Sequence, residues 1–162
     1  MKLMAILPQR GTVRWIGLRP ARRVTPVSVQ AVEALIGKGL VGDRFSGNPQ
    51  SKRQVTLIQA EHLQVMGQLL ERDTINPALL RRNIVVIGIN LLALNGAQFS
   101  IGEAIFEGTG PCDPCSRMEE ALGAGGYNAM RGHGGITARV IKGGRIRVGD
   151  EVAMRAAGRG GS

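Results

Sequence analysis

Aromatic side chains are nearly missing from this chain of 162 residues: one Trp, one Tyr and three Phe, 3% of the whole. A core without rings is built from Val, Ile and Leu, and the scarcity argues against a single-strand nucleic-acid binder, which stacks bases on aromatic faces. Lysine is scarce too, with 4 residues against 17 arginines, so the formal charge of +9 is carried mostly by guanidinium groups. A guanidinium offers a planar fork to phosphate or carboxylate where an ammonium is a point charge, which favours a small phosphorylated ligand over a polyanion. No apolar run reaches the length of a membrane span, and residues 1–7 are stopped by Pro8, Gln9 and Arg10 before they make a secretory signal. A cytoplasmic protein without a membrane partner is expected. There are only two cysteines, and in that compartment a C-x-x-C pair is redox or metal chemistry before it is a structural disulfide.

The length is that of one domain, expected over residues 1–155, with the Gly- and Arg-rich residues 156–162 a disordered tail. What the chain does have is 24 glycines punctuating short apolar runs. Residues 11–19 alternate apolar and polar side chains as a half-buried strand does. Residues 55–58 and 83–88 are strand-like, and residues 60–70 carry Leu63, Met66, Leu69 and Leu70 at the spacing of a helix with one buried stripe. Residues 98–101 and 104–107 flank Gly102-Glu103 as a hairpin, and residues 136–141 and 145–148 are expected to form another across Lys142-Gly143-Gly144. Residues 116–122 read as a short helix, followed by a glycine-rich stretch to residue 135. Many short strands and few helices predict a mostly β fold, a closed or strongly curved barrel.

Both cysteines fall in Gly110-Pro111-Cys112-Asp113-Pro114-Cys115-Ser116-Arg117. A thiol in a turn near a cation is biased toward thiolate, the form that attacks electrophiles or ligates soft metals. Four readings stand open: a thioredoxin-like redox pair, half of a structural zinc set, two inert thiols, or one cysteine serving as ligand or nucleophile at a cofactor. Arg81-Arg82-Asn83 is either a charge pair ending a helix or a fork for a phosphate, with Asn83 offering a donor and an acceptor to a ring edge. Arg44 and Arg53 carry the same ambiguity. His133, in Arg131-Gly132-His133-Gly134-Gly135, is a general acid or an ordinary hydrogen-bonding residue; the loop matches no nucleotide-binding fingerprint.

In order along the chain, Gly39-Leu40-Val41-Gly42-Asp43-Arg44, Arg53-Gln54-Val55-Thr56-Leu57-Ile58, Arg81-Arg82-Asn83-Ile84-Val85, residues 91–94, Phe99-Ser100-Ile101-Gly102 and the cysteine turn resemble the MOSC domain, the family named for the C-terminal domain of molybdenum cofactor sulfurases. The resemblance implies a β-barrel of MOSC type that holds the pterin form of the molybdenum cofactor. It implies Cys115 as catalytic residue and metal ligand and Arg82 and Asn83 as the cofactor-contacting pair; Arg44 and Arg53 are expected to join them on the pterin and its phosphate, and Arg117, two residues after Cys115, is expected as a further cofactor-binding residue that favours the thiolate. Relatives such as the mitochondrial amidoxime reducing component reduce N-hydroxylated compounds, so that activity is expected with an external electron donor. The alternatives are sulfur transfer through a Cys115 persulfide, fed by a sulfur donor protein, and a non-enzymatic cofactor carrier. Many members have a His after Gly-Asp-Arg, where this chain has Phe45. Pyridoxal phosphate is not expected, because the chain has no room for the aminotransferase-like domain of the sulfurases.

Overall fold

A computed structural model describes residues 2–44 and 48–156. Phe45 and all of the expected tail except Ala156 lie outside these residues. The strands are β1 (Gly11–Leu18), β2 (Val27–Val29), β3 (Ala31–Leu35), β4 (Gly39–Leu40), β5 (Val55–Gln59), β6 (Ile84–Ile87), β7 (Gln98–Ile101), β8 (Ala104–Pro111), β9 (Ile136–Lys142), β10 (Gly144–Arg147) and β11 (Glu151–Met154). The helices are α1 (Ala60–Leu69), α2 (Ser116–Leu122) and α3 (Gly126–Met130). Strand order β11-β7-β8-β9-β5-β6-β1 closes on itself through β1–β11 pairing, a barrel of seven strands. β2 adds to the far half of β1, and β10-β3-β4 make a separate small sheet.

The two strands that read as continuous apolar runs explain how the layers stack. β5 and β6 pair in parallel, the only parallel ladder between named strands, and α1 lies in the connection between them. Both faces of these strands are covered, which is why neither alternates with polar residues. Leu57, Ile84 and Val86 point into the barrel with Val13, Ile16, Phe99, Phe106 and Val140. Ile58 and Val85 point outward into a second cluster with Met66, Leu80, Met118, Leu122 and Met130, beneath the three helices. Phe99 and Phe106 stack with ring centroids 5.7 Å apart inside the barrel.

The β7–β8 hairpin forms across Gly102-Glu103, with Ile101 opposite Ala104. The second expected hairpin does not. β10 leaves β9 and pairs with β3, Ile146 facing Val32, because Gly143 and Gly144 let the chain turn a corner against the backbones of Ala34 and Glu103. The glycine-rich stretch after α2 is not plain loop either, since it contains α3. In α1 the buried stripe runs through Met66 and Gly67, with Leu63 and Leu70 packed at its edge, while Leu69 is mostly exposed. No helix among the described residues is long and apolar enough to cross a membrane.

Candidate functional site

The cysteine turn hangs from the end of β8 and is clamped by the start of β9. Cys112 N–H donates to the Gly135 carbonyl at 2.8 Å, and the Cys112 carbonyl lies so close to Gly134 that no Cβ fits there. Gly135 itself sits at φ +86°, against the Leu57 carbonyl. The two thiols are thereby made unequal: Cys112 is buried at 2% exposure, whereas Cys115, the residue before α2, is exposed.

Arg82 is anchored against the loop that covers Cys112. Its side chain reaches from the start of β6, donating from Nε to the Gly134 carbonyl and from Nη1 to the Leu80 carbonyl, both at 2.9 Å. The remaining Nη2 is the only buried side-chain polar atom without a hydrogen-bond partner among the described residues. Burial lowers the pKa of this guanidinium, and the Cys112 thiol partly opposes that, ahead of Cys115. Arg53, mostly exposed, brings Nη2 to 3.9 Å from Cys112 Sγ. A buried unsatisfied donor costs about 1–3 kcal/mol, so a native site that keeps one has a use for it.

A second group of guanidiniums adjoins the first. Arg81, in the left-handed conformation at φ +56°, donates to the carbonyls of Val24 and Ala21 at 2.7 and 3.2 Å. Burial lowers its pKa first, followed by the charges of Arg19, Arg44 and Arg117. Guanidiniums from four distant parts of the sequence therefore lie close enough for the charges of Arg19, Arg44 and Arg117 to act on Arg81. Arg44 and Arg117 were expected here; Arg19 was not, and no local sequence signal marks it.

What braces this group is a buried carboxylate. Asp43 accepts from the Arg19 amide at 2.8 Å, from Arg19 Nε and Nη2 at 3.1 and 2.8 Å, and from Asn83 Nδ2 at 3.1 Å. Burial alone would raise the Asp43 pKa, but the Arg19 fork, its charge and its amide, with the Asn83 amide, together hold it below the ordinary value. Asn83 is fully buried: Oδ1 accepts from Thr56 N and Oγ1, and Nδ2 donates to the Gly17 carbonyl as well as to Asp43. This corrects the expectation that Asn83 presents an edge to a ligand. Its amide is committed to neighbours and ties β5, β6, β1 and the Asp43 turn together behind Arg82.

The alternatives for the thiol pair narrow accordingly. A thioredoxin-like arrangement needs a βαβ sheet and this is a closed barrel. Among the described residues no three His, Cys, Asp or Glu side chains converge as a metal set, so a structural zinc site has no second half.

The series of motifs that builds this site is matched by the family model of the MOSC domain over residues 37–153, most of the chain. The chain belongs to the MOSC domain family. This family is associated with molybdenum cofactor binding. The MOSC barrel here superposes on the crystal structure of YuaD from Bacillus subtilis with a TM-score of 0.78 at 17% identity, covering 94% of this chain and 100% of that one. YiiM from Geobacillus stearothermophilus gives 0.72 at 15% identity, over 93% of this chain and 77% of its own. YiiM from Escherichia coli gives 0.69 at 17%, over 91% and 71%. At such identities the likeness concerns the fold alone. No curated protein sequence matches this MOSC domain.

Proposed function

We propose that this chain is a cytoplasmic MOSC domain protein that holds the pterin form of the molybdenum cofactor and reduces small N-hydroxylated compounds with electrons from an external donor protein. The unpartnered, buried Nη2 of Arg82, on a side chain held against the loop that covers Cys112, carries this reading. An anionic ligand with a soft metal satisfies both halves of that donor set: thiolate for the metal, guanidinium for phosphate.

Cys115 is the metal ligand in this scheme, being the exposed thiol of the pair. Arg53, against the Cys112 thiol, and Arg82, against the covering loop, supply positive charge at the thiol turn, and Arg44 and Arg117, joined by Arg19 and Arg81, meet the pterin phosphate. Asn83 contributes as the strut that sets the position of Arg82 and Asp43. When bound, the cofactor would supply two-electron redox chemistry. The protein's own part is to keep the thiolate accessible, to hold the anion in a cationic groove, and to keep Cys112 shielded under the Gly134 loop.

The test is metal analysis of the chain produced in a host that synthesises the cofactor, with Cys115→Ala and Cys112→Ala alongside. Molybdenum in parent and Cys112→Ala, with background in Cys115→Ala, is the expected result. Background molybdenum in the parent refutes the proposal. Cyanolysis separates the rival chemistry: sulfane sulfur on Cys115, with no reduction of an N-hydroxylated substrate by a chemical donor, identifies a sulfur-transfer protein instead. Molybdenum bound with neither activity leaves a carrier.

A further inference from the structure

In a cleft that Cys112 also lines, the chain's only two histidines meet. His62 on α1 and His133 in the glycine-rich loop pack edge to face, with ring centroids 5.0 Å apart. They border this cleft, of about 420 Å³, whose polar lining also includes Gln59, Asn90, Cys112 and Asp113. Apolar side chains, Leu91, Leu92 and Ile136 among them, supply the rest of the wall.

The polar groups of this cleft are half committed, each in a way that fixes what is left over. The Gln59 carbonyl oxygen accepts from Leu91 N–H at 3.1 Å, which leaves its NH2 group to donate. Asn90 Oδ1 accepts from Leu92 N–H at 3.1 Å, which likewise leaves its NH2 group. His133 Nδ1 lies 3.2 Å from the Ala129 carbonyl, and since a carbonyl only accepts, the proton of that tautomer is on Nδ1 and Nε2 is the exchangeable position. Two amide donors and one proton-exchanging nitrogen thus surround a space of small-ligand size, next to the thiol turn.

We propose that this cleft seats the N-hydroxylated substrate, its oxygen and nitrogen acceptors taken by the Gln59 and Asn90 amides, and that His133 Nε2 donates a proton to the departing hydroxyl. The proposal rests on the reductase reading above. In the reaction, R–NH–OH takes two electrons from the external donor and two protons. The N–O bond breaks, one proton converts the hydroxyl to water, the other ends on nitrogen, and amine and water leave. His133 picks up a proton from solvent at Nε2, gives it to the departing hydroxyl as imidazolium, and returns to the Nδ1–H tautomer. Burial, then the neighbouring His133 charge, lower the His62 pKa, with Glu61 opposing. Glu61 on α1, whose carboxylate already accepts from Gly88 N–H, acts on His62, and Asp113 and Cys112 on the turn line the same cleft.

Two histidines make the site readable without turnover. Benzamidoxime is titrated into the purified chain while the two imidazole C2–H resonances are followed by NMR, with benzamidine as the analogue lacking the hydroxyl. Both resonances move saturably with benzamidoxime. Asn90→Asp, which keeps the acceptor that caps Leu92 and replaces the NH2 donor with a charged acceptor oxygen, weakens binding roughly fivefold or more. In protein loaded with molybdenum, His133→Gln leaves metal content unchanged and slows benzamidoxime reduction roughly a hundredfold or more. Imidazole resonances that ignore benzamidoxime, or a His133→Gln protein that turns over like the parent, overturn the proposal. The two readings fail separately: a chain that takes up no molybdenum yet shows the imidazole response loses the reductase reading and keeps the cleft, and a loaded chain with silent imidazoles does the reverse.

Discussion

Replacing Asp43 by Asn tests whether this group of guanidiniums is built around a buried carboxylate. The substitution preserves size and one acceptor oxygen, but it removes the charge that Arg19 and Asn83 were arranged to meet and points N–H groups at their donors. The Asp43 side chain is 0% exposed and that of Arg19 18%. Removing one partner of a buried pair costs about 3–5 kcal/mol, and the residual solvent access of Arg19 puts this case at the lower end, about 3 kcal/mol. For a chain of this size that is a fall in Tm of roughly 6–12 °C. The acid dependence gives an independent check. The folded-state pKa of Asp43 is held below the ordinary value of 3.8, so its contribution is complete above that value and is lost as pH falls through the folded one. Urea titrations of parent and Asp43→Asn, at pH 7 and at a series of values below 3.8, therefore show a gap that is widest at neutrality and narrows in acid. A variant within about 0.5 kcal/mol of the parent at pH 7, or a gap of constant size across the series, contradicts the assignment.

Three further outcomes are expected. Gly135→Ala puts a Cβ onto the Leu57 carbonyl at a positive φ and destabilises the fold by about 3 kcal/mol or more in thermal melts, where a harmless exchange would stay within about 1 kcal/mol. Phe106→Ala empties half of the buried aromatic stack and costs about 3–5 kcal/mol in denaturant titrations, with a loss below about 1 kcal/mol ruling out its place in the barrel core. Glu119 accepts from the amides of Tyr127 and Gly125, which lower its pKa in that order. Protection of those two amides from hydrogen exchange falls as pH drops below the ordinary glutamate value, and Glu119→Gln removes the pH dependence of that protection.

The parts of this molecule that were legible in the sequence are those set by neighbours in the chain. The β-branched runs at β5 and β6, the turn at Gly102-Glu103 and the helix after Cys115 each follow from local pattern. What was not legible depends on partners far away. The strand at 144–147 has the composition of a hairpin arm, and only the location of β3 decides that it pairs elsewhere. Asn83 beside two arginines has the pattern of a ligand contact, yet Thr56, Gly17 and Asp43 converge to occupy its amide. Cys112 and Cys115 look equivalent until Gly134 and Gly135 cover the first and leave the second. Short glycine-rich helices such as α3 carry too few side chains for periodicity to register.

The closing seam of the barrel sets how this chain must fold. Gly11 faces Val152 and Thr12 faces Glu151, so the last ladder joins the first long strand to the final one. Such a contact forms only after the intervening strands have been ordered, when the entropy of bringing two remote segments together has largely been met. Ribosomal synthesis delivers β1 long before its second neighbour exists, and until β11 arrives the half-built sheet has two unsatisfied edges. A permuted chain that joins β11 directly to β1 and opens at an exposed turn makes that ladder local, and its refolding is faster for that reason alone.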